Sequence, residues 1–186
     1  MANASEPDFE QPVLVSDRDT LLQIQDLRRR AWSANGEIPD FIARQDILND
    51  EHDVNGMHWA IFHKGRAIAA ARMSIHDEVM ASPDPEALDG YEHLIDLPMA
   101  SVTRLVVDPD FRGRGLPEAL RTIRIALAVE RKCKSIIGVA EEESVMRSME
   151  ALGFIRLGPT KLRYLSYAPS IVLLKKLGTA TQSEAV

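Results

Sequence analysis

With 186 residues, 45% of them apolar, the chain is long enough for one domain with its own core and too apolar to be disordered throughout. Its formal charge of -6, with only short basic clusters at Arg28-Arg29-Arg30 and Arg112 to Arg114, argues against a nucleic-acid partner but allows one local basic pocket for a small anion. No apolar run approaches the ~20 residues of a membrane span, and the single cysteine, Cys133, excludes an intrachain disulfide and fits a reducing cytoplasm.

Residues 1–11 are polar and acidic, lack the pattern of a signal peptide and read as a disordered lead-in. A single domain is expected over 12–176, with a flexible tail over 177–186. Pro12 to Val15 reads as a short strand. Ser16 then reads as an N-cap, with Asp19 completing a partial capping box. Leu21, Ile24, Leu27 and Ala31 recur at helical spacing up to the Asn35-Gly36 stop, and 39–48 suggests a second short helix. Met57 to His63 and Ala67 to Ile75 form a predicted hairpin around Lys64-Gly65. From Asp77 to Met99 the chain is acidic and broken by Pro83, Pro85 and Pro98, which suggests a functional loop or flap.

Ser101 to Val107 is a valine-rich strand closed by Pro109. Pro117 to Lys132 is a predicted helix with Leu120, Ile123 and Leu127 on one face. A buried strand over Ser135 to Ala140 follows, then a helix from Glu142 to Leu152 ended by Gly153. Strands over Phe154 to Leu157 and 167–174 complete the chain. This order predicts an α/β fold: a mixed sheet with helices on both faces, and a right-handed parallel crossover from Val102 to Ala140.

The informative segment is TRLVVDPDFRGRGLPEALRTIRIAL. A strand runs into Arg112-Gly113-Arg114-Gly115-Leu116, and a helix follows. Glycines let a backbone approach a ligand closely, and the first N–H groups of a helix point outward at its positive end. Together they suit a pyrophosphate, with Arg112 and Arg114 available for charge-assisted contacts. A dinucleotide fingerprint would need glycine at 118, where Glu118 stands. The histidines give no metal site: His58 and His63 are five apart on one strand and should face opposite ways, and His52 adjoins Asp53. No G-x-S-x-G elbow supports a hydrolase. Near the expected cleft, His76 and Glu78 are candidate general bases, though a structural histidine is the blander reading.

VVDPDFRGRGL, followed by a helix, a strand and then MEALGF, resembles the GCN5-related N-acetyltransferase superfamily over about Thr103 to Phe154. The resemblance implies acetyl-CoA, or another acyl-CoA, held between splayed strands that map to Arg104–Asp108 and Ile136–Ala140. It gives the pyrophosphate to Arg112, Gly113, Arg114, Gly115 and Leu116. It gives the pantetheine arm to the backbone of Leu105, Val106 and Val107, with the Val106 N–H polarising the thioester carbonyl. Such an N–H stabilises the oxyanion that forms when an amine attacks. A lysine-like amine has a pKa near ~10.4, so a group must take its proton. The sequence departs from the family pattern at Pro117, which has no N–H; at Met149, where many members carry a thiolate-protonating tyrosine; and at Glu142, where an asparagine is common. The thiolate, whose thiol has a pKa near ~8.5, could leave without an acid; otherwise Ser148, Tyr164 or Tyr167 could serve.

A second, sparser resemblance is to the acyl-homoserine lactone synthases and the N-acyl amino acid synthases. It is carried by Arg28, Trp32, Asp50, Asp53, Arg72, Ser101 and Arg104, with Ser101 replacing the synthases' usual glutamate. Asp50 and Asp53 read most simply as a solvated loop. Arg72, in a small apolar strand, needs an anionic partner: one of those aspartates or a substrate carboxylate. Three functions follow. One is acetyl transfer from acetyl-CoA to a primary amine of a small molecule or protein. The second is longer-chain acylation of an amino acid from acyl-CoA or acyl carrier protein. The third is CoA binding without catalysis. A homodimer is left open.

Overall fold

The first helix begins where the carboxylate of Asp17 accepts the Thr20 N–H at 2.8 Å. The cap therefore lies one residue beyond Ser16, and α1 spans Arg18–Ser33. The computed structural model describes residues 9–34, 51–160 and 169–178, so the expected helix at 39–48 lies outside the described residues. Ile24, Leu27, Arg28 and Ala31 form the buried stripe of α1, an apolar row interrupted by one guanidinium.

Strand β1 (Val13–Val15) pairs antiparallel with β2 (Met57–His63), which follows the single turn α2 (His52–Asn55). Strand β3 (Arg66–His76) returns antiparallel along β2. The turn holds Lys64 at φ 50 and Gly65 at φ 76, both left-handed, which matches the twist of a two-residue hairpin. The register slips between Ile61 and Phe62, so a bulge interrupts the simple alternation assumed for His58 and His63.

Strands β4 (Met99–Val107) and β5 (Ser135–Ala140) are parallel, as the crossover rule expected, and α3 (Leu116–Glu130) connects them. Helix α4 (Glu143–Ala151), β6 (Ile155–Pro159) and β7 (Ile171–Lys176) complete a mixed seven-stranded sheet ordered β1-β2-β3-β4-β5-β7-β6. On α3 the deepest ridge is Leu116, Leu120, Arg124 and Ala128, while Ile123 and Leu127 are only half-buried. The inward stripe is therefore rotated by about one residue from the expected face, and an arginine lies in it.

The chain clusters into two compact units, one built from the chain up to Met73 with Thr103–Arg124, the other from Ser74–Val102 with the chain from Ile125. The first unit's core gathers Ile24, Leu27, Ala31, Ala60, Ala70 and Val106. The second gathers Leu88, Ile95, Met99, Ile137, Val172 and Leu174. The segment after β3 is no flap. It forms three short 3-10 turns, Val79–Ala81, Pro85–Leu88 and Glu92–Leu94, and sinks Leu88 and Ile95 into that core. The Tyr91 hydroxyl donates to the Pro159 carbonyl at 3.2 Å and holds it further. Prolines block regular helix here, but the intervening apolar residues still bury.

Candidate active site

The glycine-arginine loop is braced before α3 begins. The buried carboxylate of Asp108 accepts from Arg66 at 2.6 Å and from the Asp110 N–H at 3.2 Å, and Arg30 lies 3.4 Å away. The Asp108 N–H donates to the Ile68 carbonyl at 2.8 Å. Asp108 thus caps the short turn Pro109–Phe111 and fixes the direction in which the loop leaves β4. At the next residue, Arg112 Nη2 donates to the Ala31 carbonyl at 3.1 Å, latching the loop to the end of α1. Arg114 lies over the Phe111 ring at 5.1 Å.

Gly113 and Gly115 both hold φ +76, which disfavours a side chain, and a Cβ on either would meet nothing within 4 Å. The backbone there faces open space. The Gly115 carbonyl accepts the first helical bonds, from Glu118 at 3.1 Å and Ala119 at 3.4 Å. Helix α3 therefore starts at Leu116, one residue before the expected Pro117, and Leu116 itself is buried. The first N–H groups of a helix have no intrahelical acceptor. Open left-handed glycines, a helix N-terminus and nearby arginines are a donor set that fits the pyrophosphate of an acyl-CoA.

Val106 and Val107 are buried. The β4–β5 ladder joins only Met99, Ala100 and Ser101 to Ser135, Ile136 and Ile137. The Leu105 to Val107 backbone lies beyond that register.

Asp53 does not lie in a solvated loop. It is buried in α2 and accepts from Arg28 Nη1 at 2.7 Å and Arg72 Nη1 at 2.8 Å. Arg72 Nε also donates to the Thr103 hydroxyl at 3.0 Å. His58 is buried in the same cluster, its Nε2 3.1 Å from the Asp53 carbonyl oxygen. Burial lowers its pKa, Arg28 and Arg72 push the same way, and Asp53 opposes them. Arg104 stacks over Trp32 at 5.8 Å. Of the second resemblance's residues, the structure thus joins Arg28, Asp53 and Arg72 and pairs Arg104 with Trp32. Ser101 is buried on β4, and Asp50 lies outside the described residues.

His76 ends β3, half-buried, with Nε2 2.7 Å from the Ser74 hydroxyl. Glu78 is exposed two residues later, and Tyr164 and Tyr167 lie outside the described residues. Met149 is a core residue. A Cβ on Gly138 would come within 2.7 Å of its Cε, so β5 and α4 meet there with no room to spare. Sequence reading missed Arg124 and Asp108. The first was legible as an arginine four residues after Leu120 and four before Ala128, and the second as an aspartate preceding a proline at a strand end.

Among the described residues, no helix is long and apolar enough to cross a membrane. No curated protein matches the chain. Among solved structures it is similar to FeeM, an N-acyl amino acid synthase from uncultured soil microbes, at 15% identity and TM-score 0.67, covering 92% of each chain. It is similar to the ribosomal-protein-S18-alanine N-acetyltransferase from Escherichia coli at 17% identity and TM-score 0.57, covering 95% of this chain and 100% of that one. A Corynebacterium glutamicum protein described as histone acetyltransferase HPA2 and related acetyltransferase gives 17% identity and TM-score 0.67, covering 92% and 99%. At such identities these likenesses establish the fold. The model of the acetyltransferase (GNAT) family matches residues 21–157, most of the chain, and the protein therefore belongs to that family of acyltransferases, which take acyl-CoA donors and amine acceptors.

Proposed function

We propose that the donor is acetyl-CoA and the acceptor a primary amine, on a small molecule or a protein. The observation that carries this reading is the braced loop: two open left-handed glycines at the start of α3, held by Asp108 and by the Arg112 latch. Gly113, Arg114, Gly115 and Leu116 would hold the pyrophosphate, Arg112 would hold the loop, and the Leu105 to Val107 backbone would take the pantetheine arm. Acetyl-CoA supplies an acyl carbonyl already activated toward amines. The chain supplies orientation and a fixed N–H, that of Val106, where negative charge develops. His76, Glu78 and Tyr164 are the proposed proton carriers. The Ser74 bond orients the His76 ring.

Calorimetry of wild type and Gly115→Ala with acetyl-CoA tests the reading. The added methyl is strained at φ +76 and enters the cradle. Acetyl-CoA should bind wild type and weaken by about tenfold or more in the variant, which should still fold, with a melting temperature lowered by the strain at φ +76. Absence of wild-type binding sinks the reading. A bell-shaped pH–rate profile that loses one limb in His76→Gln, Glu78→Gln or Tyr164→Phe would identify the proton carrier.

A second reading, N-acylation of an amino acid with a longer chain from acyl-CoA or acyl carrier protein, draws on the buried Arg28–Asp53–Arg72 cluster and on the likeness to FeeM. Tighter binding of palmitoyl-CoA than of acetyl-CoA would move the donor to that class. A third reading, CoA binding without catalysis, draws on Met149 packing in the core. Any turnover of acetyl-CoA that depends on an added amine dismisses it.

A further inference from the structure

Strand β4 leaves the extended conformation at one residue. Arg104 holds φ +53 between Thr103 and Leu105, a left-handed geometry that is costly for a residue with a side chain. Such a conformation persists only where the surroundings impose it. One neighbour of that turn is on α3. Arg124 is 2% exposed and lies midway along the buried ridge. Its Nε donates to the Leu120 carbonyl at 2.9 Å. Its Nη1 donates to the Arg72 carbonyl at 3.1 Å and approaches the Thr103 carbonyl at 3.5 Å. One guanidinium thus ties α3 to main-chain oxygens of two neighbouring strands, β3 and β4. The second of these oxygens belongs to the peptide that leads into Arg104.

A leucine at 124 would attach the helix without desolvating a charge. Burial pushes the Arg124 guanidinium down to about 9, and the neighbouring charge of Arg121 adds to that. The side chain is therefore an expensive way to pack a helix, which points to a task that apolar atoms cannot perform. Arg124 instead gives donors to main-chain carbonyls beside that turn, and an arginine supplies several in a fixed fork.

We propose that Arg124 is a positioning residue that locks the left-handed turn at Arg104 and so aims the N–H groups of Leu105, Val106 and Val107. Loss of the guanidinium lets Arg104 relax to extended backbone, and the N–H groups that follow rotate away. The inference rests on the proposed acyl-CoA reading, in which those N–H groups meet the thioester arm while the Arg112 to Leu116 loop meets the nucleotide end.

The experiment uses the full chain as wild type, Arg124→Met and Arg124→Lys, with two probes. Acetyl-CoA carries both ends of the ligand. Adenosine 3′,5′-bisphosphate carries the nucleotide end without the pantetheine arm. By calorimetry, Arg124→Met should weaken acetyl-CoA about tenfold, the size of one or two lost hydrogen bonds, and leave the bisphosphate within about twofold. Arg124→Lys keeps a donor for the Arg72 carbonyl and should recover part of the loss. The three-bond HN–Hα coupling of Arg104 should move to its extended value in Arg124→Met, a change that mere loosening of the helix does not produce. If Arg124→Met fails to fold, Arg124→Lys carries the comparison, with a smaller loss confined to acetyl-CoA. Equal weakening of both probes, or of neither, overturns the proposal. A wild type that binds neither probe withdraws the acyl-CoA reading and this inference with it.

Discussion

Among the described residues, each unit contains a charge network centred on one shared group, and the two centres are opposite in sign. In the first, Arg28 and Arg72 share Asp53 at 2.7 and 2.8 Å, with side chains 1%, 0% and 8% exposed. In the second, Glu143 and Glu150 share Arg156 at 2.8 Å each, with side chains 52%, 39% and 33% exposed. The distances are nearly equal, so geometry does not separate them. Water does. Burial raises the pKa of Asp53, but the hydrogen bonds and charges of Arg28 and Arg72 outweigh it and the net direction is down. Burial also lowers Arg28, against the pull of Asp53. For Arg156 the hydrogen bonds of Glu143 and then Glu150 lead and the direction is up, as solvent allows. Breaking the first network strands charge inside the protein, whereas breaking the second returns charge to water.

The largest expected effect follows from that difference. Asp53→Ala leaves two buried guanidiniums without their shared carboxylate and should cost about 3–5 kcal/mol in urea unfolding. A loss near that of an exposed pair would overturn the comparison. Arg28→Met is milder, because Asp53 keeps Arg72 and one like-charge repulsion disappears; a loss of roughly 1–2 kcal/mol is expected.

Acid sharpens the contrast. Folded His58 has its pKa below the ordinary value of 6.5, so as pH falls through 6.5 the unfolded chain takes up the proton first. Stability is full above 6.5 and declines toward the folded-state value. Asp53, depressed from 3.8, contributes stability above 3.8 that is lost as pH falls through its folded value. Stability should therefore fall in two stages, and His58→Gln should remove the upper one. The smallest effect belongs to the exposed network: Arg156→Ala should leave the urea midpoint unchanged within replicate scatter, at low salt and high.

The same contrast explains what the sequence disclosed. The hairpin was legible because Lys64-Gly65 is a two-residue turn between apolar runs, and β2 and β5 came out with their observed limits. The glycine-arginine loop from Arg112 to Leu116 was legible as a loop because it follows a strand and precedes a helix. Asp53 was legible as a partner for Arg72, but its burial was not, because α2 is a single turn, too short to show a helical period. The cap slipped from Ser16 to Asp17 because both residues are good N-caps and only Asp17 stands three before Thr20. The segment after β3 reads in sequence as a functional loop or flap because its prolines hide how deeply Leu88 and Ile95 bury. The turn at Arg104 leaves no mark at all, since nothing local in a valine-rich strand requires a left-handed arginine.

The Arg112 bond to the Ala31 carbonyl carries one more consequence. Ala31 lies in the last turn of α1, where carbonyls lack intrahelical partners and fraying begins. By capping that turn from the loop, Arg112 couples melting of the helix end to opening of the loop. Amide exchange at the end of α1 should therefore keep pace with exchange in the loop, and an anion that slows one should slow the other.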